Sequence, residues 1–310
     1  MDYNLFKQIF NETIFEKSKA DLLEKISNSP SRYVGLFRPT KPKAKILQNL
    51  LQSHEIRFGD AFEIIIEEYL KIKGCNILPK RFTNNNGDVL NIDQCFRKED
   101  KVFFIEQKIR DDHDSTKKRG QIQNFEKKLN VMLTKYEENE LVGVFYFIDP
   151  ELVKNKNYYS NELCKMTNDY NVETHIFYGK ALFDYLDYSD IWDEILKYLA
   201  IWKNEIPNLP EINFDIDAAH TFNEIKDLKP LVFRKLLENE EVFNEILLTL
   251  FPEKKTLKLL HQYYSQKQET IYKTISKKLN ERLKSNIDDK KELPETNVLS
   301  DKHNNANSNS

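Results

Sequence analysis

Apolar residues recur at every third or fourth position along several stretches of this chain, a period that is typical of amphipathic helices. One such stripe predicts a helix over residues 121–140, in which Ile122 and Phe125 share a face. A second stripe predicts a helix over residues 56–74, and we expect Gly74 to close it, because glycine readily adopts the left-handed backbone at a helix C-terminus. The same period predicts further helices over residues 4–27, 180–204 and 256–284.

Shorter apolar runs bounded by turn residues predict strands. The run at 141–148 is continuous, which is typical of a strand buried on both faces. Strands are predicted over residues 76–82, 89–96, 102–109, 141–148 and 172–179. The elements therefore run helix, three strands, helix, two strands and helix, which indicates a mixed α/β class, and the chain beyond residue 205 is predicted to be helical.

The second and third strands, 89–96 and 102–109, are separated by a polar turn and predict a hairpin with charged residues in it. If the turn is centred between residues 99 and 100, Asp93 lies directly opposite Glu106. Opposed residues share a face, with Cβ atoms about 4.5–5.5 Å apart. The pattern therefore places two carboxylates side by side.

A lysine joins this pair of acids. Lys108 is two residues beyond Glu106 and so shares its face, whereas Gln107 points to the other face. Neighbouring carboxylates repel unless a cation lies between them, and Mg²⁺ prefers oxygen ligands of this kind. Asp, Glu and Lys in this arrangement are suited to metal-assisted phosphodiester hydrolysis. The alternative is an exposed hairpin whose charged residues face solvent.

Composition narrows the classes of function. The chain has 310 residues and a net charge of −3, so a site for a polyanion has to be local. Three cysteines without a CxxC pair exclude a disulfide framework and a zinc finger, and fit a reducing cytoplasm. The sequence has no GxxxxGK[ST] or GxGxxG motif, no signal peptide and no apolar run long enough to span a membrane.

The acid on the second strand and the Glu-x-Lys on the third, within this element order, resemble the PD-(D/E)xK nuclease superfamily. The uninterrupted segment EQKIRDDHDSTKKRGQIQNF, residues 106–125, is most similar to a type II restriction endonuclease. The resemblance covers roughly residues 56–180. It implies a restriction-endonuclease-like αβββαβ core, with a mixed central sheet flanked by helices and with helical N- and C-terminal additions. The expected regions are an N-terminal helix and basic loop (1–55), the catalytic core (56–204), a C-terminal helical region (205–285) and a disordered polar tail (286–310).

The resemblance also implies roles for the hairpin residues. Asp93, Glu106 and Lys108 match the catalytic motif, and Asp93, Glu106 and the backbone carbonyl of Gln107 would hold Mg²⁺. Residue 92 is Ile where the motif name has Pro, so Asp88 is an alternative first acid.

An acid on the preceding helix is a further candidate metal ligand. Glu63 lies four residues after Gly59, as a metal-holding Glu often does on the first helix of these nucleases. Glu67, one turn further on, is the alternative, and a solvated helix face is the simpler explanation for either acid.

Two groups of basic residues are candidates for DNA contacts, since phosphate contacts position a nuclease on its substrate. The first group follows the third strand and comprises Arg110, Lys117, Lys118 and Arg119, with Gln121 beside it. The second lies within residues 25–54, which contain no acid, and comprises Arg32, Arg38, Lys41 and Lys43. Chance charge on a solvated loop is the alternative for this second group. The acids between residues 111 and 114 are expected to be turn and capping residues.

The resemblance therefore implies a site-specific endonuclease of double-stranded DNA, a type II restriction enzyme that requires Mg²⁺ and belongs to a restriction-modification system. Such enzymes are usually homodimers, and a cognate DNA methyltransferase would be a functional rather than a physical partner. The alternatives are a structure-selective nuclease, such as a junction resolvase or repair nuclease, and a non-catalytic DNA-binding protein. The long flanks around the core favour the restriction enzyme, and the complete Asp, Glu and Lys set argues against the binding protein. For the basic stretch 256–284 we expect packing on the acidic helices before it or on a partner.

Overall fold

The computed structural model describes residues 1–16, 18–83, 87, 89–110 and 115–285. The predictions for Asp88, for the acids between 111 and 114 and for the tail 286–310 lie outside these residues. The chain divides into two compact units. The sheet unit comprises Met1–Ser18 and Lys45–Glu211, and the helical unit comprises Lys19–Ala44 and Ile212–Ser310.

Over the described residues the strands are β1 (Asn76–Ile77), β2 (Arg81–Thr83), β3 (Val89–Asn91), β4 (Gln94–Lys98), β5 (Lys101–Lys108), β6 (Leu141–Phe147) and β7 (Glu173–Tyr178). The helices are α1 (Tyr3–Phe15), α2 (Ser18–Asn28), α3 (Ser31–Val34), α4 (Pro42–Ile72), α5 (Ser115–Leu133), α6 (Lys156–Tyr170), α7 (Ala181–Tyr185), α8 (Ser189–Glu205), α9 (Ala218–Ile225), α10 (Pro230–Glu238), α11 (Glu240–Val242), α12 (Leu248–Leu250), α13 (Lys255–Ser265) and α14 (Thr270–Ser285), and a π-helical turn at Phe243–Leu247 joins α11 to α12.

Among these elements five strands form a mixed sheet in the order β1-β4-β5-β6-β7. The pairs β1–β4 and β4–β5 are antiparallel, and β5–β6 and β6–β7 are parallel. The predicted mixed α/β class is confirmed, and the arrangement is consistent with a restriction-endonuclease-like fold. The predicted order lacked a helix between the last two strands. The structure places α6 there, because two parallel neighbours need a crossover connection.

Two predicted strands are each broken in the middle. The run 76–82 divides into β1 and β2 around Pro79, which has no N–H to give to a ladder. The run 89–96 divides into β3 and β4, and Ile92 at the break donates its N–H to the Lys80 carbonyl at 2.8 Å. β2 and β3 pair with each other in a separate two-stranded sheet within the described residues. Asp93 therefore lies where the chain enters the main sheet rather than inside a strand.

Helix ends also differ from the predictions. α5 starts at Ser115 and ends at Leu133, whereas the apolar stripe predicted 121–140, since the first turns carry Lys, Arg and Gly that show no apolar period. α4 extends back to Pro42, a residue favoured at the first helical position. The predicted end at Gly74 is confirmed by its positive φ of 82°.

Both faces of the main sheet are buried. One face packs Phe103 and Ile105 of β5 against α1, α4 and α8. The other packs Val102 and Phe104 against α5 and α6. The alternation along β5 puts Glu106 on the second face, beneath α5.

In the helical unit the predicted single helix over 256–284 is two helices, α13 and α14. Their buried residues Tyr264 and Ile275 are 11 positions apart, about three helical turns, so the apolar period continues unbroken across the connection. α14 packs on α13 and α10, and α13 packs on α9, which confirms packing within the chain. No helix among the described residues is long and apolar enough to cross a membrane.

Candidate active site

Two acidic side chains meet beside the β4–β5 pair. The register pairs Gln94 with Ile105, so Asp93 stands opposite Glu106 as predicted. Asp93 Oδ2 accepts a hydrogen bond from the Gln107 main-chain N–H at 2.6 Å. The carboxylate thus takes the place of a ladder partner at the point where the strand has turned away. Glu106 is almost fully buried, with 3% of its surface exposed.

Two lysines hold Glu106. Lys108 Nζ, at the end of β5, donates to Glu106 Oε1 at 2.6 Å and keeps 22% of its side chain exposed. Lys128 Nζ, from the buried face of α5, donates to Glu106 Oε2 and lies 4.0 Å from Asp93 Oδ1. Lys108 shares the face of Glu106, as the strand period predicted. Lys128 neutralises charge on both acids.

The electrostatics of the two acids differ. Burial raises the pKa of Asp93 to about 6, and the charge of Glu106 adds to this effect against the opposing lysines. Burial also acts on Glu106, but Lys108 and Lys128 outweigh it and hold the pKa of that carboxyl below its usual range. Glu106 is therefore the firmly ionised acid of the pair, and Asp93 gains most from any further positive charge.

Glu63 lies near these residues on α4. Its main-chain carbonyl accepts a hydrogen bond from the buried Gln94 side chain at 2.7 Å, which ties this turn of the helix to the start of β4. Burial raises the pKa of Glu63 to about 7, and the charges of Asp93 and other nearby acids add to the shift. Its alternative, Glu67, instead forms ion pairs with lysines 71 and 80.

A polar cavity of about 200 Å³ opens beside Glu63 and Lys108. Arg110 and Gln121 line it as well, so the structure brings together residues that the sequence proposed separately for catalysis and for DNA contact. Gln107 also lines it, and its buried Oε1 has no hydrogen-bond partner within the described residues. The cavity therefore offers an acid, a cation and an unsatisfied acceptor to a ligand.

The residues present fit a hard divalent cation. Asp93 and Glu106 supply oxygen donors of the kind that Mg²⁺ takes, and the buried Lys128 ammonium between them marks a place that requires positive charge. The described residues contain no group of three or more His, Cys, Asp or Glu side chains arranged to hold a metal. Further ligands would therefore be main-chain carbonyls, water or phosphate oxygens.

The first group of basic residues lies around the start of α5. Arg110 is exposed, with Nη1 3.4 Å from Glu55 Oε2. Lys118 donates to the Asn155 side chain at 3.2 Å and lies over the Tyr158 ring. Lys117 and Arg119 are exposed on the same helix.

The remaining predicted DNA contacts have different surroundings. Gln121 is half-buried and accepts a hydrogen bond from the Tyr159 hydroxyl at 2.6 Å. The second basic group belongs to the helical unit, and all four of its side chains are exposed: Arg32, Arg38, Lys41 and Lys43.

The sequence interpretation missed Lys128. The signal was present, because Phe125, Lys128 and Leu129 fall on one helical face, and a lysine on an apolar stripe requires a buried acid. What the period could not give was the partner. That depends on how α5 lies across β5.

Comparisons with known proteins add a family. A family model described as "Type II restriction endonuclease, HinfI" matches the chain in two overlapping segments, residues 3–87 and 72–203. Together these segments cover well over half of the chain, and they include Asp93, Glu106, Lys108 and Lys128. No curated protein and no solved structure gives a significant match.

Proposed function

Since the chain belongs to the HinfI family of type II restriction endonucleases, we propose that it cuts double-stranded DNA at a specific site and that Asp93, Glu106 and Lys108 carry the reaction in a PD-(D/E)xK arrangement. The single observation that carries the proposal is the buried cluster in which Glu106 binds Lys108 while Asp93 lies opposite on the neighbouring strand. An exposed charged hairpin, the alternative interpretation, would not bury Glu106 to 3%.

Asp93, Glu106 and the main-chain carbonyl of Gln107 are the proposed ligands of Mg²⁺, and Glu63 is a further candidate. When bound, Mg²⁺ polarises the phosphodiester and lowers the pKa of a coordinated water. The chain itself positions the groups around it. The Gln107 N–H fixes one oxygen of Asp93, and Lys108 and Lys128 keep Glu106 ionised and oriented.

Lys108 is the proposed electrostatic catalyst. Its ammonium faces the polar cavity, whereas that of Lys128 is buried. A cation at the rim of the cavity would stabilise negative charge that develops on the scissile phosphate. Arg110 lines the same cavity and would hold the adjoining backbone.

The same function implies partners. We propose a homodimer, because a two-fold assembly presents one active site to each strand of a duplex. A cognate DNA methyltransferase would protect the host's own sites, as part of a restriction-modification system, and an enzyme that acts on DNA of this kind belongs in the cytoplasm.

Plasmid digestion tests the proposal. With Mg²⁺ the purified protein should convert a closed circular plasmid into discrete linear fragments, and with EDTA it should leave the plasmid intact. Cutting restricted to branched DNA would instead indicate a junction resolvase or repair nuclease. Binding without cutting in Mg²⁺ would indicate a DNA-binding protein and would overturn the assignment.

The basic start of α5 gives a separate prediction. Replacing Lys117, Lys118 and Arg119 together by Gln should weaken binding to cognate and unrelated duplexes alike, because phosphate contacts carry no sequence information. Each lost contact also releases fewer counterions, so the plot of log affinity against log salt should flatten by roughly one unit per contact. Fluorescence anisotropy across a salt series measures both effects.

A matched control is available within the same unit. Lys197 and Lys203 lie on α8, and neither lines the polar cavity. Their double Gln variant should leave the salt slope as it is in the wild type. A triple variant with an unchanged slope would show that the start of α5 makes no contact with DNA.

A further inference from the structure

Two large apolar side chains stand almost fully in solvent on the loop between α3 and α4. Leu36 is 90% exposed and Phe37 is 94% exposed. Among the large hydrophobic residues that the structure describes, the next most exposed is Ile216 at 66%. Single exposed apolar residues are ordinary on protein surfaces, but an adjacent pair at full exposure costs solvation free energy without any gain in packing.

The loop that carries the pair is short and constrained. It runs over residues 35–41, between the end of α3 and Pro42 at the start of α4. Pro39 fixes its own φ and restricts Arg38 before it. The buried ring of Tyr33 anchors the base of the loop. Leu36 and Phe37 are therefore held out at a turn rather than carried on a long free segment.

Gly35 at the start of the loop is required by its geometry. A Cβ on this residue would lie 2.4 Å from the Ser31 carbonyl oxygen, to which the Gly35 N–H donates at 3.2 Å. The chain can pass this close to α3 because the residue has no side chain. The turn that follows is thus set by the backbone of the helical unit.

The surroundings of the pair are cationic. Arg32, Arg38, Lys41 and Lys43 are all exposed, and residues 25–54 contain no acid, in a chain whose net charge is −3. A lipid surface or an acidic protein could attract such charge, but the substrate class of this family is DNA. Basic residues that flank an apolar wedge have a known physical use on DNA: the cations bind phosphates while the wedge enters between base pairs.

We propose that Leu36 and Phe37 form a wedge that inserts between adjacent base pairs of the DNA substrate and partly unstacks them, with the four flanking basic side chains bound to the phosphates. Insertion would bury the exposed Phe37 ring against bases. It would also make binding depend on how easily the invaded base step deforms, which is a source of specificity that needs no hydrogen bond to a base. The proposal rests on the proposed function only in requiring that the protein bind DNA.

A wedge that separates a base step also untwists the duplex, and this can be measured without cleavage. A closed circular plasmid is relaxed by a metal-independent topoisomerase in EDTA, with and without saturating protein. After the protein is removed, the topoisomers are resolved on a gel. We expect the wild type to shift the distribution of linking number, and the Leu36→Ala/Phe37→Ala double variant to lose that shift. Affinity of the double variant for duplex DNA should fall on the order of tenfold, since stacking of a base on an aromatic ring contributes about that much.

Two further variants keep the test interpretable. Phe37→Trp retains an aromatic wedge and should retain the shift. Ile216→Ala removes an exposed apolar side chain that lies between Asp215 and Asp217 in the same unit, and should behave as the wild type. Circular dichroism should be unchanged in all variants, because neither Leu36 nor Phe37 is packed in the core.

Three outcomes would overturn the wedge: no shift with wild-type protein bound to the plasmid, a shift that the double variant retains, or a double variant altered in self-association but not in unwinding. The last would mean that the pair contacts a second copy of the chain. Failure of the proposed nuclease function reads out differently, as a plasmid left uncut in Mg²⁺ whatever the topoisomer distribution in EDTA.

Discussion

Glu106→Gln should abolish cleavage while leaving DNA binding intact. The substitution keeps the shape of the side chain and removes the charge of the acid that two lysines hold ionised. If Glu106 is a ligand of Mg²⁺, loss of that charge should lower the rate of cleavage on the order of 10²–10⁴-fold, because metal-assisted hydrolysis depends on several kcal/mol of charge stabilisation. Binding should persist or become tighter, since one negative charge close to a phosphate is gone. Single-turnover cleavage in Mg²⁺ and anisotropy in EDTA measure the two quantities separately.

The matched control for this variant is Glu67→Gln. Glu67 lies on α4 with ion pairs to lysines of its own surroundings, and it does not line the polar cavity. We expect it to cut close to the wild-type rate. Mg²⁺ should raise the melting temperature of this control as it does that of the wild type, and should do so less for Glu106→Gln. A folded Glu106→Gln protein that cut DNA at the wild-type rate would return the hairpin to the status of a charged surface feature.

The geometry behind this prediction was accessible from the sequence because a hairpin is a local structure. A tight polar turn fixes the register, and the register fixes which residues are opposed. Asp93 and Glu106 could therefore be paired from their numbers alone, and the structure has the same register. The period of two along β5 likewise placed Lys108 beside Glu106. The roles of these residues, by contrast, remain proposals.

Features that depend on packing between distant elements could not be predicted in the same way. The break at Asp93 follows from β2 and β3 pairing apart from the main sheet, a choice that no local pattern records. The contact of Lys128 with Glu106 needs the position of α5 over the sheet. The near-complete exposure of Phe37 is invisible in a composition, since most phenylalanines in a folded chain are buried.

The two lysines on Glu106 should separate by what each one does. Lys108→Ala should slow cleavage by about 100- to 1,000-fold, the usual cost of removing one group that stabilises transition-state charge. Its side chain is partly exposed at the cavity, so stability should change little. Lys128→Met should instead destabilise the protein by about 3–5 kcal/mol when Mg²⁺ is absent, because it takes the buried cation away from a buried carboxylate.

Magnesium should distinguish these variants further. Lys128 neutralises the same two acids that the metal is proposed to bind, so added Mg²⁺ should restore much of the stability that Lys128→Met loses. It should restore none of the cleavage that Lys108→Ala loses, because that variant still binds the metal and lacks only the cation at the reacting phosphate. Thermal melting and single-turnover cleavage over one Mg²⁺ titration measure both variants. If Lys108→Ala cut DNA normally while Lys128→Met, folded in Mg²⁺, did not, the catalytic lysine of this site would be the one on α5 and not the one in the Glu-x-Lys motif.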